Sequence, residues 1–356
     1  MSIRLKPLNQ QVLVVTGASS GIGFAIASEA VDRGAAVLLV SRNEEALQQI
    51  AADLRKKGGR VAVCAADVGI PADLERVANA ATAEFGGFDT WVNDAGVTAY
   101  GSMEQISFED HRRIFEVNYF GLLRGSFIAA KHLRDRGGGA IINMGSILSD
   151  RTIIFQGPYS ASKHAVLAAT DALRMDLERE DAGISVTLIK PGAIHTLFTG
   201  HARNYMDEPP AFPPIIYDPR LVADAVLFAA EKPKRVLYVG GFGYVQSLLG
   251  RMFPRVTDRI MEAVMVRAQQ APDDPTDPER RDNLYRPRPE GEIEGSQQGH
   301  IRRQSLFLQA QKHPIAAAAA LGGIALAALS VLASRSQTLT SGVELARRRV
   351  AASVGG

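Results

Sequence analysis

The sequence has almost no cysteine and almost no net charge. Cys64 is the only cysteine among 356 residues, so no disulfide can form within the chain and no cysteine-based metal site is expected. Lysine and arginine together number 40 and aspartate and glutamate 38, which leaves a formal net charge of +2. Nucleic-acid-binding domains carry clustered basic residues, so this balance predicts no nucleic-acid partner.

The amino terminus lacks the apolar run of a secretory signal, because residues 1–11 are largely polar. Together with the single cysteine, this predicts a reducing, cytoplasm-facing compartment. Hydrophobic residues make up 46% of the chain, enough for one large domain or two modest ones.

Short apolar runs alternate with helical segments along residues 1–240. Continuous apolar runs are typical of strands that are buried on both faces of a parallel sheet. The runs cover residues 11–15, 36–40, 60–65, 88–92, 140–144, 184–189 and 235–239. Their alternation with helices predicts an α/β fold, a Rossmann-type doubly wound parallel sheet with helices on both faces. Such sheets bind ligands at the carboxyl ends of their strands.

The first strand leads directly into a glycine-rich turn, residues 16–23, which a helix follows. This order of strand, turn and helix places backbone N–H groups and the positive helix end against a pyrophosphate. The glycines at 17, 21 and 23 permit the tight turn, although their spacing differs from Gly-x-Gly-x-x-Gly. The alternative is a glycine-rich turn that binds no ligand.

The second strand ends at Ser41-Arg42. An acidic residue at this point would hold the ribose 2′-hydroxyl of NAD. Ser41 is not acidic, and the Arg42 guanidinium suits a 2′-phosphate, so the site is predicted to take NADP. Arg42 could instead be a solvated residue at the head of the next helix.

Tyr159 and Lys163 stand four residues apart on a predicted helix that reaches about residue 178, so both lie on one helix face. A free phenol has a pKa of about 10. A fixed ammonium beside it favours the phenolate, so Tyr159 could act as acid or base near neutral pH. The alternative is an ordinary surface pair.

These motifs occur in an order and spacing that resemble the short-chain dehydrogenase/reductase family over residues 8–240. The matching positions are residues 16–23, Asp67-Val68, Asn93, Ala95-Gly96, Asn118, Ser146, Tyr159, Lys163, Pro191-Gly192, Ile194 and Thr196. The visible departure is Asp94, where the family usually has a second asparagine that supports the strand rather than the chemistry.

The resemblance implies a catalytic role for four residues. Tyr159 would pass a proton to or from the substrate oxygen, and Ser146 would hydrogen-bond the same oxygen. Lys163 would hold the nicotinamide ribose and lower the pKa of Tyr159. Asn118 would hold a water in a relay that runs to Lys163.

The resemblance also implies an NADP(H) site, with reversible hydride transfer to or from an alcohol–carbonyl pair and no metal. Within it, Arg42 and the glycine turn would bind the phosphates, Asp67-Val68 the adenine, Asn93 the ribose side, and Ile194 with Thr196 the carboxamide. The implied cofactor-binding residues are Gly17, Ser19, Ser20, Gly21, Ile22, Gly23, Ser41, Arg42, Asp67, Val68, Asn93, Ala95, Gly96, Tyr159, Lys163, Pro191, Gly192, Ile194 and Thr196.

Two loops are predicted to choose the substrate. The loop after Ser146 carries Ile147, Leu148, Ile153, Ile154 and Phe155, and the loop over residues 193–217 carries Leu197, Phe198, Tyr205, Met206, Phe212, Ile215 and Ile216. Long loops in compact domains are often lids, and an apolar lid favours a lipophilic carbonyl or alcohol. The alternative is that these residues belong to the core.

Beyond residue 240 the composition changes in steps. Residues 241–270 predict a helical extension, broken at Phe253-Pro254, that packs on the fold or on a second subunit of a homo-oligomer, with membrane-surface contact as the alternative. Residues 271–300 are rich in proline and charge and predict a flexible linker.

Residues 301–356 contain an uncharged run, residues 315–333. Its length is just enough for a bilayer span of about 20 residues, and its alanine-rich composition makes it only weakly apolar. The run therefore predicts a single C-terminal membrane anchor, with an alanine-rich soluble helix as the alternative.

The sequence thus predicts an NADP(H)-dependent reductase or dehydrogenase that acts on a lipophilic carbonyl or alcohol. Two alternatives stay open. One is a 3-oxoacyl-type ketoreductase of lipid metabolism, and the other is a sensor or scaffold that binds dinucleotide without turnover.

Overall fold

The computed structural model describes residues 3–270, 281–288, 291–297, 299–320 and 322. The chain divides into two compact units, Met1–Leu308 and Gln309–Gly356. The central sheet and the predicted site residues lie in the first unit. In the second unit, the described residues 309–312 and 314–320 are helical.

Twelve strands lie in the described residues. They are β1 Val12–Thr16, β2 Ala36–Ser41, β3 Val61–Ala65, β4 Thr90–Asn93, β5 Ala99–Tyr100, β6 Gly139–Met144, β7 Ile184–Pro191, β8 Ala193–Ile194, β9 Arg203–Asn204, β10 Ile216–Tyr217, β11 Val236–Val239 and β12 Ile301–Arg302.

The helices of the described residues alternate with the longer strands and continue beyond them. They are α1 Gly21–Asp32, α2 Glu44–Lys56, α3 Pro71–Phe85, α4 Phe108–Phe115, α5 Leu122–Asp135, α6 Gly157–Arg179, α7 Pro219–Glu231, α8 Gly241–Met252, α9 Pro254–Ile260, α10 Val266–Ala268 and α11 Leu306–Lys312. Short 3-10 helices cover Leu8–Gln10 and Ile147–Ser149, and π-helical turns cover Glu116–Gly121 and Met261–Met265.

The seven longer strands form one sheet in the order β11-β7-β6-β4-β1-β2-β3. Every neighbouring pair is parallel, as in the register Val14↔Leu38 between β1 and β2 and Val14↔Trp91 between β1 and β4. The order reverses at β1, where β2 lies on one side and β4 on the other. This confirms the predicted doubly wound parallel sheet.

Alternate residues of the strands supply the cores on the two faces of the sheet. Leu13 and Val15 pack in a cluster with apolar residues of α1, α2 and α7. Val12 and Val14 pack in a second cluster with apolar residues of α3, α5 and α6. Because both faces are covered by helices, the strands are apolar at nearly every position, which is the pattern that revealed them in the sequence.

Local signals fix several helix starts. The Ser107 hydroxyl accepts a hydrogen bond from Asp110 N at 3.2 Å and caps α4, as its capping-box pattern predicts. Asn43 caps α2 by accepting from Ala46 N at 3.0 Å. Proline at the first turn begins α3 and α7, where its missing N–H costs nothing.

The described residues of the segment 271–300, which the sequence predicts to be a flexible linker, pack on the domain. Residues 281–288 and 291–297 lie in the first unit and contact it, and the Leu284 side chain is fully buried. Their backbone carbonyls accept hydrogen bonds from the domain, which a composition rich in charge and proline does not reveal. These described residues therefore lie against the domain, and we call them the strap. Residues 271–280, 289, 290 and 298 lie outside the described residues.

The membrane anchor predicted over residues 315–333 falls mostly outside the described residues, because residue 321 and residues 323–333 are not among them. Across the part of the chain that the structure describes, no helix is long and apolar enough to cross a membrane.

Candidate active site

The carboxyl ends of the central strands open into a cavity of about 490 Å³. It brings together most of the residues that the sequence predicts for the site. The predicted residues that line it are Gly17, Ser19, Ser20, Gly21, Ile22, Ser41, Arg42, Asp67, Val68, Ala95, Gly96, Ser146, Tyr159, Lys163, Pro191, Gly192, Ile194 and Thr196. Gly23, Asn93 and Asn118 do not line it.

The glycine turn holds the amino end of α1 against this cavity. Gly17 adopts a φ of +74°, and a side chain there would place its Cβ 3.0 Å from the backbone of Ala95. Gly23 serves packing instead, because a Cβ at that position would lie 2.3 Å from the carbonyl oxygen of Gly17. Ser20 makes no side-chain hydrogen bond that caps α1, so the helix N-terminus offers backbone N–H groups to an anion.

The strap lies across one end of this cavity. Asn283 and Pro287 line it, and the Arg42 guanidinium donates to the carbonyl oxygens of Asn283 and, at 3.4 Å, Leu284. Nearer the glycine turn, Gly21 N donates to the Glu292 carbonyl oxygen at 2.9 Å. Sequence reasoning missed these residues, since neither apolar periodicity nor a known motif marks them.

Helix α6 presents Tyr159 and Lys163 to the same cavity. Lys163 Nζ lies 5.6 Å from the centroid of the Tyr159 ring and donates to the Met144 carbonyl oxygen at 2.7 Å. Ser146, at the end of β6, shares a hydrogen bond with the Tyr159 phenol. Its hydroxyl also accepts from Leu148 N at 3.0 Å, which fixes the side chain at the start of the following loop.

The titration behaviour of this group departs from the expectation. Burial is the main influence on Tyr159 and raises its pKa above the ordinary value of about 10, while the Ser146 hydrogen bond lowers it and the Asp94 charge raises it. Burial lowers the pKa of Lys163 to about 8, against the raising effect of Asp94. The predicted lowering of the Tyr159 pKa by Lys163 is therefore not seen in this structure.

Asp94 lies on the cavity wall beside these groups. Its carboxyl accepts a hydrogen bond from the backbone N–H of Gly23. Burial raises its pKa to about 7, although the Lys163 charge and this hydrogen bond lower it. The sequence assigns Asp94 only to supporting the strand, and the structure adds an electrostatic contact with Lys163 and Tyr159.

Asn118 lies in the π-helical turn between α4 and α5 and is fully buried. Its amide accepts from Val97 N at 2.8 Å and donates to the Val97 carbonyl oxygen at 2.9 Å and to Ser162 Oγ at 3.1 Å. These bonds join α6 to the loop after β4. The predicted water relay to Lys163 stays a prediction.

Asn93 differs from its predicted place at the ribose. Its amide donates to Ser126 Oγ at 3.0 Å and to Asn143 Oδ1 at 2.8 Å, and accepts from Trp91 Nε1 at 2.7 Å. The side chain therefore belongs to a buried polar network between β4, β6 and α5. The Asn93 amide thus forms its hydrogen bonds with neighbouring protein groups.

The other end of the cavity is apolar. Tyr159 contacts Phe198 edge-on, with ring centroids 5.4 Å apart, and Phe198 stacks on Phe212 at 6.4 Å. Apolar residues from the two predicted loops line this end, namely Ile147, Leu148, Ile153, Leu197, Phe198, Phe212 and Ile215. Tyr205 and Met206 of the second loop instead pack elsewhere, since Tyr205 Oη donates to Asp110 at 2.7 Å and Met206 is buried beside Tyr100.

The C-terminal helices complete this apolar end. Phe242, Gln246, Val264 and Met265 line the cavity, whereas the sequence predicts packing on the fold or on a second subunit, or membrane-surface contact, for residues 241–270. Their contribution depends on how the helices lie against the loop after β6, which the sequence pattern does not encode.

Comparison with known proteins decides the family. The model of the short chain dehydrogenase family matches residues 11–206. The chain belongs to the short-chain dehydrogenase family. The uncharacterized oxidoreductase YxnA of Bacillus subtilis (strain 168) is 42% identical over 324 residues, which cover 90% of this chain and 91% of that protein.

Solved structures of this family share the fold. The L-sorbose reductase from Gluconobacter frateurii, complexed with NADPH and L-sorbose, is 27% identical with a TM-score of 0.58 and covers 67% of this chain and 97% of its own. An alcohol dehydrogenase from Thermococcus sibiricus, complexed with 5-hydroxy-NADP, is 28% identical with a TM-score of 0.56 and covers 64% of this chain and 95% of its own. The chain is thus an oxidoreductase of the short-chain dehydrogenase family.

Proposed function

We propose that this oxidoreductase uses NADP(H) to interconvert a lipophilic alcohol and the corresponding ketone or aldehyde. The observation that carries the proposal is the position of Tyr159 in the cavity. The phenol lines the same cavity as the glycine turn, and its ring contacts Phe198, which stacks on Phe212.

The polar end fits a phosphorylated dinucleotide. The Ser20 side chain does not cap α1, and the close approach at Gly17 brings the glycine turn to the cavity, so backbone N–H groups there would bind a pyrophosphate. Of these groups, Gly21 N donates to the Glu292 carbonyl oxygen of the strap. Arg42 stands at the end of β2 without an acidic neighbour at Ser41, which favours a 2′-phosphate over a free 2′-hydroxyl. The L-sorbose reductase and the alcohol dehydrogenase, solved with NADPH and 5-hydroxy-NADP, support the same choice.

The residues of the chain supply position and a proton. When bound, the nicotinamide supplies or accepts the hydride. Tyr159 donates its phenolic proton to the carbonyl oxygen during reduction and takes it back during oxidation. Ser146 hydrogen-bonds the same oxygen and stabilises the charge that develops on it. Lys163, whose ammonium donates to the Met144 carbonyl oxygen, would hold the nicotinamide ribose beside the phenol.

The apolar end favours a lipophilic substrate. Beside the polar side chains of Gln156, His201 and Gln246, the lining is largely aromatic and aliphatic, and hydroxyl groups that found no partner there would be costly to bury. L-sorbose, the ligand of the reductase from Gluconobacter frateurii, is a polar sugar, and this lining is poorly suited to it.

A series of 2-alkanones tests the substrate class. With NADPH present, kcat/KM should rise by about fourfold for each added methylene until the cavity is filled, because each buried CH₂ contributes about 0.8 kcal/mol. L-sorbose serves as the polar control, and NADPH consumption is followed by absorbance. A rate that does not depend on chain length, or that is highest with L-sorbose, contradicts the lipophilic assignment.

Tyr159→Phe tests the catalytic assignment. The variant should lose at least about 100-fold in kcat, since general acid–base catalysis contributes about 10²–10⁴-fold. NADPH affinity, measured by fluorescence titration, should stay nearly unchanged because only the proton path is lost.

Tyr244→Phe, at an exposed tyrosine of α8, is the matched control and should keep full activity. Near-normal turnover by Tyr159→Phe would contradict the assignment of Tyr159 as the general acid and base. A wild-type protein that binds NADPH but turns over no carbonyl would favour the sensor or scaffold.

A further inference from the structure

Helices α8 and α9 and the π-helical turn after them expose large apolar side chains. Met252 is 60% exposed and Val256 58% exposed, although large apolar side chains such as these are usually buried. We call the set the outer face. Its members are Phe242, Val245, Leu248, Leu249, Met252, Phe253, Val256, Ile260 and Val264. Most follow one another at intervals of three or four residues, so they form a stripe along the helices.

The opposite side of α8 is made of small residues. Gly243, Ser247 and Gly250 are buried against the domain. A Cβ at Gly243 would lie 2.4 Å from Ile147, and one at Gly250 would lie 2.9 Å from Arg151. A surface helix normally turns its large apolar residues inward. Here they turn outward, and an exposed apolar surface of this kind marks an interaction site.

The outer face is continuous with the cavity. Phe242 is 48% exposed and Val264 49% exposed, and both also line the cavity beside Gln246 and Met265. The same side chains therefore touch both solvent and the substrate end. An apolar molecule that leaves whatever covers the outer face therefore meets side chains of the cavity at Phe242 and Val264.

The charges around the outer face are mainly positive. Arg251, Arg255, Arg259 and Arg267 are exposed on these helices. Of these arginines, Arg251 is paired with Asp150, whose side chain is buried. Of the acidic residues on the same segment, Asp258 is paired with Arg151, and Glu262 is exposed. An apolar stripe with arginines beside it matches the boundary between acyl chains and anionic headgroups. A second copy docked by the same face would instead bring two arginine rims together, which is unfavourable.

We propose that the outer face of α8 and α9 docks on the surface of an anionic lipid bilayer, with the mouth of the active-site cavity turned towards the lipid. The side chains enter the interface while the helices lie parallel to it. Only the role of docking, which is to supply a lipophilic substrate from the lipid, rests on the proposed function. The contact itself is measured without substrate, so docking and substrate class can fail separately.

A fluorescent probe at Met252 tests the contact in the full chain. Met252→Cys and Met175→Cys are each made with Cys64→Ser and labelled with a polarity-sensitive dye. Met175, 58% exposed on α6, is the matched control for Met252, which is 60% exposed. With vesicles of phosphatidylcholine and phosphatidylglycerol, the dye at position 252 should shift to the blue and be quenched by nitroxide-labelled lipid. The dye at position 175 should do neither.

The charge contribution is tested by Arg255→Gln with Arg259→Gln. This pair should weaken the response at position 252 to phosphatidylglycerol vesicles, and raised salt should have the same effect on the parent protein. Lys56→Gln with Lys57→Gln, at exposed lysines at the end of α2, is the control and should leave the response unchanged.

Three results would overturn docking. Vesicles that bind the protein without changing the dye at position 252 would mean that another segment, such as residues 315–333, makes the contact. A blue-shifted dye without vesicles at every protein concentration would mean that the chain itself covers the outer face. A shift that grows with protein concentration in the absence of lipid would assign the face to a second copy.

Discussion

The carboxyl of Asp94 shares the cavity wall with Lys163 and Tyr159, and its charge acts on both. It raises the pKa of each group, although burial is the larger influence on both. With its own pKa raised to about 7, Asp94 is ionised mainly above neutral pH. The proton chemistry of Tyr159 is therefore set in part by a residue that takes no proton from the substrate.

Asp94→Asn should move the pH profile of alcohol oxidation to lower pH. Oxidation needs an ionised phenol, and removing the carboxylate removes an influence that raises the pKa of Tyr159. A single nearby carboxylate changes the free energy of ionising the phenol by about 1–2 kcal/mol, so the pH profile should shift by roughly one pH unit. The measurement is kcat/KM against pH. Asp53→Asn, at an exposed carboxylate of α2, is the control, and a shift of Asp94→Asn to higher pH would contradict this account.

At the same scale, the proposed function assigns the preference for NADP to Arg42. Arg42→Asp should weaken NADPH far more than NADH, because a charge-assisted hydrogen bond to the 2′-phosphate contributes about 1.5–3 kcal/mol. The ratio of the two Kd values should change at least about tenfold. The ratio is the readout, since loss of the bonds from Arg42 to the strap affects both cofactors alike.

Arg113→Gln provides the comparison for Arg42. Arg113 Nε also donates to the Leu284 carbonyl oxygen, at 3.0 Å, so this variant loosens the strap without touching the predicted 2′-phosphate contact. Its ratio of Kd values should match that of the parent protein. If Arg42→Asp and Arg113→Gln change the ratio equally, the preference for NADP does not lie in Arg42.

At the scale of elements, the sequence predicts those that depend on local pattern. The strands of the central sheet appear as apolar runs because both faces are covered, and the start of α4 appears in the capping residues around Ser107. The strap has no such pattern. It is held by one buried side chain, Leu284, and by backbone carbonyls that accept from Gly21, Arg42 and other groups of the domain.

The site follows the same division. Positions fixed by a turn or by one helix face, such as Gly17 and Tyr159 with Lys163, lie where the sequence places them. Asn93 does not, because Ser126 and Asn143, from distant parts of the chain, take up its amide together with the neighbouring Trp91. Contacts of that kind depend on how elements pack, which periodicity and spacing leave open.

At the scale of the whole molecule, the strap makes the C-terminal part of the first unit a component of the cavity lining. A chain that ends at Leu308 keeps the sheet, the cavity and the strap. It should bind NADPH and turn over substrate as the full chain does. A chain that ends at Gln270 loses the buried Leu284 side chain, which contributes about 1.5–3 kcal/mol, together with the carbonyls that orient Arg42.

The chain ending at Gln270 should therefore unfold at lower denaturant concentration and bind NADPH at least about tenfold more weakly than the chain ending at Leu308. Denaturant titration and fluorescence titration measure the two effects. The full chain is the reference that shows whether residues 309–356 contribute to either. Tighter NADPH binding after loss of the strap would give it the opposite role, because the Glu292 carbonyl that occupies the Gly21 N–H would then compete with the pyrophosphate for the helix N-terminus.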